Sequence, residues 1–366
     1  MSRILTIIAS FVGITVVIIA GYFVWQYLGE KIFVPVNTTV TNPVQNTAKG
    51  SIELAGNAAL IGYSFGNGEV TGVQTDGQIV KIADGKADIV NSSIGSDIMS
   101  ADFSYDGKKI LIKLGSRQNP IWSVFDVVGG VWNPLSNTKI ESAAWSPDSL
   151  AIAYVENVNG QSNIGVIDLG AKKTTAKTLA SVFAVDSEIS WPTKNEIVLS
   201  SRPSDLVGGS IWKYKIKEKI FEPLAEDENG VWIKWAKDGH VGLKYSFSNS
   251  GKNIIVDGNG QTAAETNFMT LPDKCYFDES GVSSTPQYMY CAVPRDIRNG
   301  ANLPDDYLKH AVYFNDDFYR VDLQNGKAEK IIDNPGGEFD ATDILVSGNI
   351  LTFINRKDNY LYQFSF

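Results

Sequence analysis

The sequence predicts an all-β fold, a seven-bladed β-propeller preceded by a single N-terminal transmembrane helix. Many glycines and aromatic residues, with no long helical periodicity after the first thirty residues, favour numerous short strands. A turn phrase recurs at a nearly constant interval, and an uncharged stretch occupies the N-terminus. Together these observations predict an anchor helix over residues 1–29, an extended stalk over 30–50 and the propeller over 51–366.

The N-terminal stretch from Ile4 to Leu28 contains no Asp, Glu, Lys or Arg. About 20 apolar residues suffice to cross a bilayer as a helix, and Trp25 and Tyr27 lie where aromatic side chains favour the membrane interface. A cleaved signal peptide is the main alternative, but its apolar core is shorter, about 7–15 residues. Arg3 favours an N-terminus inside the cell. The predicted location is therefore the cell membrane, with the propeller outside the cytoplasm.

The repeating unit of the remaining chain is a strand, a tight turn and a second strand. Phe103-Ser-Tyr-Asp-Gly107 and Trp145-Ser-Pro-Asp148 are the clearest copies, and Asp and Gly favour the turn. The aromatic position recurs at intervals of 42, 46 and 44 residues. A period near 44 with four strands per unit is typical of a propeller blade. The structural repeat positions are Phe103, Asp106, Trp145, Asp148, Trp191, Trp235 and Asp238.

The number of blades depends on the two flanks of the repeat. Residues 56–95 contain enough strand candidates for a first blade. The last unit, from Phe339 to Phe366, lacks an outer strand, which a strand over about Ser51–Leu54 completes, closing the ring without an exposed edge. This assignment gives seven blades. Six is the alternative, if the first region forms a cap instead.

The phrases WSPDS and FSYDGKKI resemble the repeats of TolB-like β-propellers, which are related to the WD-repeat class. Trp191-Pro-Thr-Lys-Asn195 departs from that pattern because it lacks the turn Asp and Gly. With its predicted anchor and stalk, the chain resembles membrane-anchored envelope proteins of bacteria. The resemblance implies a propeller fold outside the cytoplasm that binds proteins or sugars.

The only two cysteines, Cys275 and Cys291, lie 16 residues apart in two strand-like runs with a turn between them. Neighbouring strands bring such a pair within bonding distance, and a pair this close in an exported domain favours a disulfide bond. Two thiols without a nearby histidine do not make a metal site. We therefore expect a disulfide, no metal and no cofactor.

The longest departure from the repeat is an insertion between Val293 and Val312. Blade insertions lie on a face of the ring and often carry specific contacts; the other interpretation is a short helix that fills the rim. The candidate binding loop comprises Arg295, Asp296, Arg298, Asp305, Asp306, Tyr307 and His310.

The sequence predicts no catalytic residue. His240 and His310 are the only histidines, and no Gly-x-Ser-x-Gly motif is present. The leading interpretation is an extracytoplasmic module that binds or scaffolds a protein or an envelope polymer; a spacer role stays open. The alternative is a hydrolase or lyase that acts on polysaccharide through carboxylates in the channel. Several carboxylates in the central channel, ringed by aromatic side chains, would favour the enzyme, whereas an apolar or mixed-polarity face would favour the module. The net charge of −9 argues against a nucleic-acid partner.

Overall fold

The computed structural model describes residues 51–366 except for short gaps. These gaps are 67–68, 84, 92–94, 96, 117–118, 136–138, 171–174, 184–185, 248–251, 280–284, 298–299 and 333–336. The predicted anchor (1–29) and stalk (30–50) lie outside the described residues. Within the described part of the chain, no helix is long and apolar enough to cross a membrane. The described residues belong to one compact unit, Asn46–Phe366.

Twenty-seven strands are described, and twenty of them form five four-stranded antiparallel sheets in chain order, which we call blades 1–5. Blade 1 is β5 Ile98–Phe103, β6 Lys109–Ser116, β7 Asn119–Asp126 and β8 Val131–Pro134. Blade 2 is β9 Ile140–Trp145, β10 Ala151–Val158, β11 Gln161–Asp168 and β12 Thr175–Val182. Blade 3 is β13 Ser187–Thr193, β14 Glu196–Ser201, β15 Gly208–Lys215 and β16 Ile220–Asn229. Blade 4 is β17 Trp232–Trp235, β18 Val241–Tyr245, β19 Asn253–Asp257 and β20 Thr262–Glu265, and blade 5 is β21 Cys275–Phe277, β22 Tyr288–Pro294, β23 Asp316–Asp322 and β24 Ala328–Ile332.

The other seven strands form one sheet, which we call the closing sheet. In spatial order it contains β25 Ala341–Ser347, β26 Ile350–Asn355, β27 Tyr360–Ser365, β1 Glu53–Gly66, β2 Glu69–Gln74, β3 Ile79–Ala83 and β4 Lys86–Asn91. A 3-10 helix, Pro272–Lys274, precedes β21, and the short helix α1, Asp305–Leu308, lies in the insertion.

The expectation of seven separate blades is wrong: the propeller has five four-stranded blades and the closing sheet. The first and last regions are joined by β1, whose first half pairs with β27 and whose second half pairs with β2. Register shifts at Gly56 and Gly62 redirect the strand without interrupting its pairing. The six-blade alternative is also wrong, since the first region supplies strands of the sheet rather than a cap.

The apolar core lies between neighbouring sheets rather than within one of them. Trp145 is buried in a cluster that joins Leu111 and Trp122 of blade 1 to Ile152 of blade 2. Its indole N–H donates to the backbone oxygen of Asp102 in blade 1 at 2.8 Å. Trp191 lies in the corresponding cluster between blades 2 and 3, while Phe103 and Trp235 are partly buried against theirs. The aromatic repeat positions therefore fill the spaces between sheets.

The repeated turn owes its shape to one serine and one aspartate. Ser146 Oγ donates to Asp148 Oδ1 at 2.7 Å and accepts from the backbone N–H of Ala151 at 2.9 Å. Ser104 and Asp106 make the same first bond at the same distance. The hydrogen bond from the Ser146 hydroxyl lowers the pKa of the Asp148 carboxyl.

Replacing Ser146 by alanine should lower the free energy of unfolding by about 1–2 kcal/mol, because the N–H of Ala151 loses its hydroxyl acceptor. The lowered pKa of Asp148 stabilises the fold above the unfolded-state pKa near 4, and this contribution is lost as the pH falls through the folded-state value. The loss in the variant should therefore shrink below about pH 4. Urea titrations at pH 7 and below pH 4 measure the free energy of unfolding of the wild type and the variant, and Ser104→Ala tests the matching turn of blade 1. A loss of stability that is the same at both pH values would contradict a role for the Asp148 carboxylate.

The predicted disulfide bond is confirmed. Cys275 and Cys291 lie directly opposite each other on β21 and β22, with Cα atoms 4.1 Å apart, and their sulfurs are bonded. Both side chains are fully buried in the core cluster between blades 4 and 5.

Candidate functional site

The first strands of the sheets surround a channel, which contains three of the described cavities. Side chains of β5, β9 and β13 line about 640 Å³ of it. Two adjoining cavities, of about 230 and 470 Å³, continue toward β17, β21 and β25. Tyr105, in the turn after β5, lines all three cavities, which are therefore parts of one continuous surface.

Charged groups of both signs line these cavities, with acids in excess. The acids are Asp102, Glu141, Asp186, Glu188, Asp273, Glu279 and Asp343, and the bases are Lys113, Arg202, Lys234 and Lys237. They come from blades 1–5 and from the closing sheet, so only the folded ring brings them together. The channel is thus of mixed polarity with a negative excess.

Asp102 and Asp343 have the most perturbed carboxyls in the channel. Both residues keep solvent-exposed surface in the channel, although many protein atoms enclose their carboxyl groups. This enclosure, and then repulsion from the Asp273 carboxylate, raises the pKa of Asp102 to about 6 and that of Asp343 to about 7. Loss of hydration also raises the pKa of Glu188 and of Glu279. Groups with such pKa values change charge within the physiological pH range.

Several channel cations already have partners in the channel wall. Lys234 Nζ donates to the backbone oxygen of Cys275 at 2.7 Å, and Lys113 Nζ donates to that of Glu141 at 3.2 Å. Lys237 Nζ lies 4.5 Å from the centre of the Tyr105 ring, a cation–π distance.

Aromatic side chains surround the charged groups, but few present an open ring face. Tyr105 is 45% exposed and carries Lys237 over its ring. Trp191 is only 9% exposed. Within the described part of the chain, the indole nitrogens of Trp191 and Trp235 are buried without a hydrogen-bond partner.

Some residues of the predicted binding loop contact the rest of the propeller, and others are exposed to solvent. Arg295 forms an ion pair with Asp317 at 2.8 Å, and Asp296 is exposed beside Ile297. Arg298 lies outside the described residues. Asp305 accepts from the backbone N–H of Asp205 in blade 3 at 2.7 Å.

The rest of the loop packs against a buried ion cluster. Asp306 accepts from the N–H of Asn302 at 2.9 Å and so ties the segment before α1 to the helix. The Tyr307 ring is buried 3.8 Å below the Arg356 guanidinium, and His310 Nδ1 lies 3.3 Å from an Arg356 nitrogen. Burial, and then the Arg356 charge, lowers the pKa of His310. These residues attach the insertion to the propeller.

The buried ion cluster consists of Lys274, Asp316, Asp340 and Arg356, where blade 5 meets the closing sheet. Lys274 Nζ is fully buried, 2.8 Å from Asp316 Oδ2 and 2.5 Å from Asp340 Oδ1. Arg356 bonds the other oxygen of Asp340 at 2.7 Å. Burial raises the pKa of Asp316 to about 6, which the nearby Lys274 charge partly opposes. None of these four residues lines the three cavities described above, and the cluster holds two sheets together.

The channel acids are not among the residues that the sequence predicts for a site, although one position of the repeat carries a signal for them. Side chains alternate along a strand, so the residue directly before each anchor aromatic points away from the space between sheets that the aromatic fills. Asp102 precedes Phe103 and Lys234 precedes Trp235 in this way. Asp343 has no such signal, since it lies in a bulge of β25 with a φ of 49°.

Metal binding has no support from the described residues, where no group of three or more His, Cys, Asp or Glu side chains is arranged to hold an ion.

Comparison with known proteins finds relatives by structure only. No protein-family model matches the chain, and no curated protein matches it. Oligogalacturonate lyase from Vibrio parahaemolyticus is similar with a TM-score of 0.58 and 10% identity, over 85% of this chain and 90% of that one. The β-propeller domain of the Trilobed protease from Pyrococcus furiosus has a TM-score of 0.52 and 14% identity, over 84% and 95%. Likenesses at such identities show the β-propeller fold alone.

Other similar structures belong to longer chains. The tricorn protease matches with a TM-score of 0.51 and 11% identity over 86% of this chain, which spans 34% of that protease. A prolyl endopeptidase is similar with a TM-score of 0.54 and 13% identity over 82% of this chain, which spans 47% of that one.

The neighbours also include TolB from Acinetobacter baumannii, at 13% identity over 79% of this chain and 59% of that one. Its TM-score of 0.38 is too low to carry an argument. The β-propeller fold is shown by the neighbours with higher scores, and membership of a TolB-like family stays a prediction.

Proposed function

We propose that the protein is a membrane-anchored binding or scaffolding module that takes part of a protein or an envelope polymer into the central channel. The observation that carries this proposal is the cavity of about 640 Å³, lined by acids, bases and aromatic side chains of three blades. A concave surface with a few polar groups of both signs is the usual form of a binding site. The bases among the acids favour a binding module, whereas the several carboxylates with aromatic side chains around them favour the second candidate considered below.

Two further features support a location outside the cytoplasm, and the insertion offers a second contact surface. The buried disulfide bond supports an exported domain, and the uncharged segment Ile4–Leu28 supports an anchor with the propeller outside the cytoplasm. Asp296 and Ile297 are neighbouring exposed residues of the insertion, and we assign them a secondary contact with the partner.

Site-specific cross-linking tests the channel as the binding site. A photo-reactive amino acid replaces Met99, which is 42% exposed and lines the cavity, or Val128, which is 82% exposed on the β7–β8 turn. We expect Met99 to trap a discrete partner at least tenfold more than Val128, although Val128 is the more accessible. Equal trapping at the two positions would contradict the proposal, and a probe at Ile297 tests the insertion in the same experiment.

A polysaccharide hydrolase or lyase is the second candidate, favoured by the raised pKa values of Asp102 and Asp343. A general acid needs a pKa near the working pH, and these carboxyls have values of about 6 and about 7. One structural neighbour is named as an oligogalacturonate lyase. Incubation with a panel of polysaccharides, including oligogalacturonate, tests this candidate. Product release by the wild type that Asp102→Asn or Asp343→Asn abolishes would establish the enzyme; a panel without products would remove it.

A further inference from the structure

The charges of Asp102 and Asp343 are only partly compensated in the channel: Ser100 hydrogen-bonds Asp102, and Lys113 and Lys234 attract the two carboxylates from a distance. Both line the cavity of about 470 Å³, one from blade 1 and the other from the closing sheet. Among the described residues, no base lies within salt-bridge distance of either carboxyl, whereas Asp316 and Asp340 in the buried ion cluster are paired. We propose that Asp102 and Asp343 bind the ammonium group of a lysine side chain that a protein partner inserts into the channel, an inference that rests on the binding function proposed above.

The bases of the channel contact other groups of the channel wall, which leaves the carboxylates of Asp102 and Asp343 available to a cation from a partner. Lys234 donates to the Cys275 backbone oxygen, Lys113 to that of Glu141, and Lys237 lies over the Tyr105 ring. A carboxylate enclosed by protein and held near others gains most from an incoming cation, because the cation replaces lost hydration and relieves repulsion at once.

Backbone geometry supports a role for Asp343. A register shift between Thr342 and Leu345 places it in a bulge of β25, and its φ is 49°. Bulges often re-aim a side chain beside a functional site. A non-glycine residue in the left-handed region costs free energy that the surrounding structure must offset. Here the result is a carboxyl that reaches the same cavity as Asp102.

The cavity walls suit a lysine stem better than a sugar ring. Phe103, Ala101 and Leu345 line the same cavity as the two acids and offer apolar surface to a four-carbon stem. Stacking of a sugar needs an open aromatic face, but Lys237 covers Tyr105 and Trp191 is almost buried. A protein segment carrying lysine is therefore favoured over an amine-bearing polymer.

The binding should be pH-dependent with a defined sign. The pKa values of Asp102 and Asp343 are about 6 and about 7, so both carboxyls are charged at pH 8 and mostly protonated at pH 5. The Asp273 carboxylate repels both carboxylates and so raises their pKa values. The Lys113 charge lowers the pKa of Asp102, and the Lys234 charge lowers that of Asp343. Glu188 and Glu279 are the other acids with raised pKa values in the channel. A lysine stays charged throughout, with a pKa near 10.4. Affinity should rise from pH 5 to pH 8.

The test uses the full-length chain and the peptide acetyl-Gly-Gly-Lys-Gly-Gly-amide, followed by NMR titration. We expect the dissociation constant to rise about tenfold in Asp102→Asn and in Asp343→Asn, which corresponds to 1.4 kcal/mol. It should stay unchanged in Asp88→Asn, an exposed aspartate on the outer strand β4. The wild type should bind about tenfold more weakly at pH 5 than at pH 8, and the peptide with acetylated lysine should not bind. Thermal unfolding confirms that each variant is folded.

Two outcomes overturn the inference. One is unchanged binding of the lysine peptide by both channel variants, and the other is tighter binding of a glucosamine oligomer than of the peptide. Cross-linking from Met99 separates the two proposals. If Met99 still traps a partner while the lysine peptide fails to bind, only the lysine site is wrong; if neither is seen, the binding function falls as well.

Discussion

Replacing Lys274 by methionine should lower the free energy of unfolding by about 3–5 kcal/mol, the usual cost of leaving a buried charge without its partner. Lys274 Nζ is fully buried and holds both Asp316 and Asp340. Without it, Asp316 would keep only the backbone N–H of Ala341 at 2.7 Å. The pKa of Asp316, already raised to about 6, would rise further. Urea denaturation of the wild type and the variant measures the loss.

The pH dependence and a paired variant identify the cause. A carboxyl with a raised folded-state pKa destabilises the fold above that pKa, and the penalty fades as the pH falls toward the unfolded value. The loss should therefore be smaller at pH 5 than at pH 8. Asp316→Asn added to Lys274→Met should restore part of the stability, since the amide oxygen still accepts from Ala341. Lys194→Met, at a surface pair 3.9 Å apart, should change stability by less than about 0.5 kcal/mol. A constant loss that Asp316→Asn does not reduce would contradict the role of the ion cluster.

Removing the disulfide bond should lower the free energy of unfolding by about 3 kcal/mol, the chain-entropy value for a loop of this length. The double variant Cys275→Ala/Cys291→Ala breaks the link between two directly opposed residues of β21 and β22. Both cysteines are fully buried, so each alanine also leaves a small loss of packing in the core. Chemical denaturation of the oxidised wild type and the double variant gives the difference.

Reductant and thiol labelling are the controls for the disulfide. Reduction of the wild type should reproduce most of the loss, whereas the double variant should not respond to reductant. A thiol reagent should label neither cysteine in the unreduced protein, even after unfolding. Labelling of both cysteines without reductant would show that the bond does not form in the expressed protein.

The strands and their turns are predictable from the sequence because their signals are local. Asp106 and Asp148 organise their turns through a serine two residues earlier, and β5 and β9 end at the aromatic that precedes this serine. The disulfide follows from the same template, because it places the two cysteines on neighbouring strands. At the turns and at the two cysteines, the structure that the local sequence favours is the one that the strand pairing requires.

The number of blades and the channel site depend on information that no single segment contains. The course of β1 through Gly56 depends on its pairing with β27 and on Ile82, whose side chain a Cβ at Gly56 would meet at 2.9 Å. Likewise, the acids of the channel are distant in sequence and meet only when the sheets close. The insertion is visible as a departure from the repeat, but the burial of Tyr307 under Arg356 is not.

The pairing of β1 with β27 also has a consequence for the order of synthesis. Glu53 bonds to Gln363, its partner 310 residues later in the chain. At 5–20 residues per second, roughly 15–60 s pass between the translation of these two residues. During that time the first half of β1 has no partner strand, and an unpaired strand edge favours aggregation. Ribosome-bound chains that end before β27 should therefore depend most on chaperones, and dependence should fall once Tyr360–Ser365 has emerged.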